Sequence, residues 1–220
     1  MKWFQVKDAN LEEVKKGSKW TNLPTDEVLQ KTVKALIGNG FDTQVVKTAE
    51  EAKKKVIELI PQGAEVMTMT SQTLDAIGVS SLINESGEYD AVRPKLMAMD
   101  RQKDSQKMQK LGSAPDWVVG SVHAITEDGS VVIASNSGSQ LAAYAYGSSH
   151  VVWVVSTAKI VENLDEAKER VYKHSLPLES ERANKAYAVP GSFVSKTLIM
   201  NQEPSQGRIK LILVQEKLGF

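Results

Sequence analysis

The chain has 220 residues, 27 Lys+Arg against 27 Asp+Glu, and no cysteine. That length is ample for one α/β domain with a buried core, and a net charge of zero offers no global field to nucleic acid or an anionic membrane. The missing thiols exclude disulfides, cysteine nucleophiles, cysteine-ligated zinc and iron–sulfur clusters within these residues, and are compatible with a reducing compartment.

Met1 to Trp20 mixes Lys, Asp and Glu with no apolar run of the signal-peptide or anchor kind, so the expected location is the cytoplasm and residues 1–24 read as an extension. Thr25-Asp26-Glu27 then opens a helix whose apolar face is Val28, Leu29, Thr32, Val33, Leu36 and Ile37, with Gly38 or Gly40 to end it. Phe41 to Val46 reads as a strand. Thr48 caps a helix through Ala49, Ala52, Val56 and Leu59 that Pro61 stops. Glu65 to Thr70 is a short strand, Ser71-Gln72-Thr73 caps Leu74 to Ile77, and a further helix runs from Val79 to Glu85. A short strand at Tyr89 to Val92 precedes a single charged surface helix over Lys95 to Leu111, with Met97, Met99 and Met108 filling its packing gaps.

Trp117 to Gly120 is the next strand, followed by Val122 to Thr126 and, across an Asp128-Gly129 turn, by Ser130 to Ala134. From Gly129 to Ala158 there is no charged residue, yet the Ser/Gly/Asn-rich stretches Ser135 to Gln140 and Gly147 to His150 interrupt the apolar parts. This neutral segment therefore reads as a buried strand–helix–strand unit, with Leu141 to Tyr146 as the helix and His150 to Val155 as a strand buried on both faces. A helix follows over Leu164 to Lys173, acidic at its start and basic at its end. Ser175 to Pro190 reads as loop, residues 176–207 as a variable C-terminal loop region, and Arg208 to Gln215 as the closing strand. Alternating strands and helices imply a three-layer α/β/α fold with a largely parallel central sheet, so ligands are expected outside the carboxyl ends of the strands.

Three loops after strands have ligand-binding chemistry. Ser71 and Thr73 combine hydroxyls with backbone N–H groups at a helix start, which suits a phosphate or carboxylate and equally suits a plain N-cap. Asn136, Ser137, Gly138, Ser139 and Gln140 join an apolar strand to an apolar helix, where backbone N–H groups would face an anion in a low-charge setting. The segment has neither Walker nor G-x-G-x-x-G spacing. Lys159, the first charge after the neutral stretch, places an ammonium beside the same crevice or in solvent.

Thr126 and Glu127 border that stretch on its other side. A partly buried Glu127 would have a raised pKa suited to a base or nucleophile; as one half of Glu127-Asp128 it can equally be a hairpin turn. The three histidines, His123, His150 and His174, have no metal-ligand spacing, so no metal is expected, and no G-x-S-x-G elbow supports a serine triad.

Gly120-Ser121-Val122-His123-Ala124-Ile125-Thr126-Glu127-Asp128-Gly129-Ser130-Val131-Val132 resembles the centre of the LUD (lactate utilization) domain family. So do Ser137 to Gln140, the strand Val151 to Val155, Lys159 to Ala167 and, upstream, the Ser-x-Thr-Leu-x-x-x-Gly turn at Ser71 to Gly78. The likeness covers residues 25 to 175, with Arg208 to Val214 similar to the last strand of some members. It implies the fold shared by CoA-transferases, ribose-5-phosphate isomerase and glucosamine-6-phosphate deaminase. It also implies a part in bacterial oxidation of lactate to pyruvate beside iron–sulfur or flavin-type partner subunits. Around Gly191 to Lys196 the chain lacks the Asp-Ile-Glu pattern of some members, having Lys196-Thr197-Leu198 instead.

Two functions are thus expected, beside a structural role as a subunit whose apolar surface docks a redox partner. In the first, a soluble accessory protein without cofactor, monomeric or a homo-oligomer, binds a small anionic metabolite through Ser71, Thr73, Asn136 to Gln140 and Lys159. In the second, an isomerase or acyl-transfer enzyme uses Glu127, by analogy with the glutamate acyl acceptor of CoA-transferases.

Overall fold

The structure, a computed structural model, describes residues 11–220, so the first ten residues of the expected N-terminal extension lie outside the described residues. A short helix α1 (Leu11–Lys16) precedes α2 (Asp26–Gly38), β1 (Asp42–Val46), α3 (Ala49–Leu59), β2 (Glu65–Thr68), α4 (Gln72–Ala76), α5 (Val79–Glu85), β3 (Asp90–Ala91), α6 (Val92–Met97) and α7 (Ser105–Ser113). There follow β4 (Trp117–Gly120), β5 (Ala124–Thr126), β6 (Val131–Ser135), β7 (His150–Ser156), β8 (Ile160–Val161), α8 (Leu164–Arg170), α9 (Leu176–Tyr187), β9 (Lys196–Met200) and β10 (Ile209–Val214). The expected caps form: Thr25, Thr48 and Ser71 each accept a backbone N–H of the first turn through a side-chain oxygen.

Six strands in the order β1-β10-β7-β4-β2-β3 form an all-parallel central sheet flanked by helices on both faces, a three-layer α/β/α arrangement. Alternation along β7 and β10 divides the core between those faces. Val151, Trp153, Val155, Ile209, Leu211 and Leu213 pack with α2 and the small sheet, while Val152, Val154, Ile212 and Val214 pack with α3, α4 and α5. Each such side chain, fully removed from water, contributes about 1.5–3 kcal/mol. The closing strand β10 lies inside the sheet between β1 and β7, which explains its nearly unbroken apolar sequence.

A second sheet, β8-β5-β6-β9, stacks on one face, and its far side is covered by α8 through Ala124, Val132, Ala134, Val161, Ala167 and Val171. The chain crosses between the two sheets four times, at residues 121–123, 136–149, 157–159 and 201–208.

Three expectations are corrected. The single helix over Lys95 to Leu111 is two, α6 and α7, because Asp100 Oδ1 accepts the Gln102 N–H at 2.8 Å and so draws the backbone into a turn; Met97 is exposed. Residues 176–207 are not a loop region, since they contain α9 and β9. A widened π turn at Val171–Ser175 leads into α9, and Pro177 sits in its first turn, where the missing N–H costs little. The helix expected at Leu141 to Tyr146 forms, but it widens into a π turn over Ala143–Gly147.

Candidate functional site

The first three of these crossings and the carboxyl ends of β2, β4 and β7 line a cavity of about 280 Å³. Its walls come from Thr70 to Thr73 after β2, Ser121 to His123 after β4, Lys159 after β7, and the Ser/Asn loop after β6. This is the position where open parallel sheets place ligands, and the volume is close to the lower end of small-molecule pockets.

Lys159 is brought there by a tight 3-10 turn. Ser156 at the end of β7 accepts the Ala158 N–H, which bends the chain from the large sheet into β8 and turns the lysine inward, only 3% exposed. Its Nζ donates to Thr73 Oγ1, Ser121 Oγ and the Val122 carbonyl, each at 3.2 Å. Arg170, at the C-terminus of α8, is 1% exposed and donates through Nη1 to the His123 carbonyl and, at 3.0 Å, to Ser175 Oγ. Among the described residues neither has a carboxylate partner, whereas half-buried Arg208 is paired with Glu203 at 2.7 Å. Burial, then the Arg170 charge, holds the Lys159 pKa well below the ordinary lysine value. Burial also lowers Arg170, whose delocalised guanidinium nevertheless keeps its proton.

His123 lies between these cations. Burial, with Lys159 and Arg170 nearby, pushes it down to about 3, so the ring is neutral at physiological pH. Its Nδ1 accepts the Ala134 N–H at 3.2 Å, which leaves the ring proton on Nε2 as a donor. Arg93 also lines the cavity, donating to the Thr68 carbonyl and to Thr70 Oγ1, and at the mouth Arg182 and Glu179 form a bidentate pair at 2.6 and 2.7 Å. Lining cations thus outnumber lining carboxylates, and the donors present suit a carboxylate or phosphate.

Tyr144 forms part of the wall, its ring edge-on to Trp153 at 5.4 Å. A Cβ at position 120 would sit 1.7 Å from its hydroxyl, so Gly120 is what lets the ring cross the end of β4.

Seven sequence-predicted residues meet in this cavity: Ser71, Thr73, Asn136, Ser137, Ser139, Gln140 and Lys159. The backbone cradle expected of the Ser/Gly loop is largely closed upon itself. The Gly138 N–H donates to Ser135 Oγ at 2.8 Å, the Ser139 N–H to Ser137 Oγ and the Leu141 N–H to the Gly138 carbonyl. The loop therefore faces the cavity with side chains, and Gly138 lies behind it, against the Lys196 side chain that caps the Ser137 carbonyl.

Thr126 and Glu127 are elsewhere. Glu127 stands on the β5–β6 hairpin, paired with Lys31 of α2 at 2.8 Å. The turn is pinned to α2 by Asn39 Nδ2 donating to the Asp128 carbonyl at 3.0 Å, and Thr126 Oγ1 holds the turn together through Asp128 and the Ser130 N–H. The second expected function thereby loses its carboxylate from the cavity.

Sequence reasoning missed Ser121, His123, Arg93 and Arg170. The rule that pointed to Thr70–Thr73 after β2 applies equally to Ser121 and His123 after β4, so that signal was present. Arg170 sits in the charged run Leu164 to Arg170, where nothing local separates a buried arginine from solvated neighbours.

Among the described residues, no helix is long and apolar enough to cross a membrane and no His/Asp/Glu group could hold a metal. No curated protein matches this chain. Among solved structures, the crystal structure of a DUF162 family protein from Deinococcus radiodurans aligns with a TM-score of 0.52 at 12% identity, over 88% of this chain and 99% of that one. At that identity the likeness is one of fold. The family model for the LUD domain matches residues 29–214, from α2 through β10 and across every strand end that builds the cavity. The chain belongs to the LUD domain family.

Proposed function

We propose that this LUD domain protein binds a small organic anion, lactate or a related carboxylate, at Lys159, and serves in the utilization of lactate through pyruvate. The supporting observation is the pair Lys159 and Arg170, two buried basic side chains in or behind one cavity wall with no carboxylate partner among the described residues. A buried charge without a counter-ion is costly, and an anionic ligand offsets that cost. Around it, Ser121 and the neutral His123 supply neutral donors that fix orientation. Because the chain has no cysteine, iron–sulfur or flavin-type partner subunits would take the electrons of the oxidation.

Isothermal titration with lactate, pyruvate, a sugar phosphate and a CoA ester tests this reading. A carboxylate should bind to wild type and at least tenfold more weakly to Lys159→Ala, a loss of about 1.4 kcal/mol. Wild type inert to all four ligands, or a variant that binds as wild type does, overturns it.

A further inference from the structure

We infer that the Lys159 amine is a nucleophile that condenses with the carbonyl of a small 2-oxo acid to form an imine. The inference rests on the proposed anion site and adds a reaction to it. Three observations carry it. Lys159 lies on the wall of a cavity that admits a small ligand. Its nitrogen touches only two hydroxyls and a carbonyl, so no carboxylate stabilises the ammonium form. And the nearby charge is Arg170, a permanent cation, which disfavours a second positive charge and activates a lysine as a neutral amine. The depressed pKa that follows from burial and Arg170 agrees with this geometry.

The surroundings also accommodate the chemistry. Thr73 Oγ1 donates to the Leu218 carbonyl at 3.3 Å and so accepts from Nζ, as Ser121 Oγ also does at 3.2 Å. In the reaction the amine nitrogen attacks the carbonyl carbon, a C–N bond forms, and one amine proton passes to the carbonyl oxygen. The carbinolamine then loses that oxygen as water with the second amine proton, leaving a neutral imine. No oxidant or reductant is consumed. Ser121 and the Nε2–H of His123 are the proton carriers on the cavity wall, and Arg93 with Arg170 favours the acid's carboxylate.

The test is reductive trapping of wild-type protein with pyruvate and cyanoborohydride at pH 7, followed by peptide mapping, with calorimetric titration of pyruvate in parallel. An exposed lysine at that pH is the free amine in only about one molecule in a few thousand. One reduced pyruvoyl adduct should therefore map to Lys159, with excess lactate suppressing it and Lys159→Arg abolishing it. Pyruvate that binds in the calorimeter but leaves no adduct, or adducts spread over exposed lysines, overturns the imine and leaves the anion site standing. No adduct, with lactate, pyruvate, the sugar phosphate and the CoA ester all inert in the calorimeter, overturns both.

Discussion

Lys159 Nζ lies 3.2 Å from Thr73 Oγ1, joining the end of β7 to the first turn of α4 across 86 residues of chain. Neither residue is charged-complementary to the other, so the contact orients the lysine without neutralising it. A site that keeps a buried basic group without a counter-ion trades stability for binding.

Lys159→Met should show that trade. The apolar replacement keeps much of the side-chain volume and removes the desolvated charge, at the expense of one hydrogen-bond donor to each of three acceptors. Stability in denaturant titrations should stay within about 1 kcal/mol of wild type, while carboxylate affinity falls at least tenfold. A large loss of stability with affinity retained contradicts this account of the site.

Lactate, which has no carbonyl to condense, should bind with proton uptake. An anion beside Lys159 raises a pKa that burial and Arg170 hold down, so the bound state carries more protons than the free state. Titrations at pH 7 in PIPES, HEPES and Tris should give enthalpies that vary with the buffer's ionisation enthalpy in the sense of uptake, and affinity should weaken as pH rises. Enthalpies independent of buffer speak against a depressed lysine at the site.

Acid should weaken the fold before the carboxylates titrate. His123 and His174 are held down to about 3 and about 4, chiefly by burial, against the ordinary histidine value of 6.5. Below that value the unfolded chain binds protons that the folded chain refuses, so stability is full above pH 6.5 and declines towards the folded pKa values. His174 alone, 3% exposed and hydrogen-bonded through Nδ1 to Ser18 Oγ, should account for about 3 kcal/mol over that range. Denaturant unfolding between pH 7 and pH 4 measures the slope, and His174→Gln should flatten it.

Gly120→Ala should destabilise the protein by about 1–3 kcal/mol, because the new methyl meets the Tyr144 hydroxyl at 1.7 Å. Combining it with Tyr144→Phe removes the closest clash and should recover part of the loss. Additive losses in the double variant would refute this packing relationship.

Glu127→Gln should leave carboxylate binding as in wild type, since the side chain is paired with Lys31 on the hairpin. The Lys31 amine is largely exposed, so water screens the pair and its loss should have little effect on stability. A marked loss of affinity would restore Glu127 to the chemistry of the protein.

The alternation of strand and helix, the caps at Thr25, Thr48 and Ser71, the Asp128-Gly129 turn and the two-sided burial of β7 were all legible in the sequence. Each depends on interactions within a few residues or on periodicity that burial imposes directly. The loops after strands were legible for the same reason, because parallel topology dictates which end of a strand faces a ligand. Seven of the ten residues expected at a site consequently meet in one cavity.

Tertiary structure alone decided the rest. Glu127 and Lys159 border the neutral stretch symmetrically in sequence, yet one leaves on a hairpin held to α2 and the other folds inward on a 3-10 turn. Local sequence states that a residue is charged. Whether that charge is solvated, paired or left uncompensated depends on groups brought to it from distant parts of the chain, as Thr73 and Ser121 are brought to Lys159.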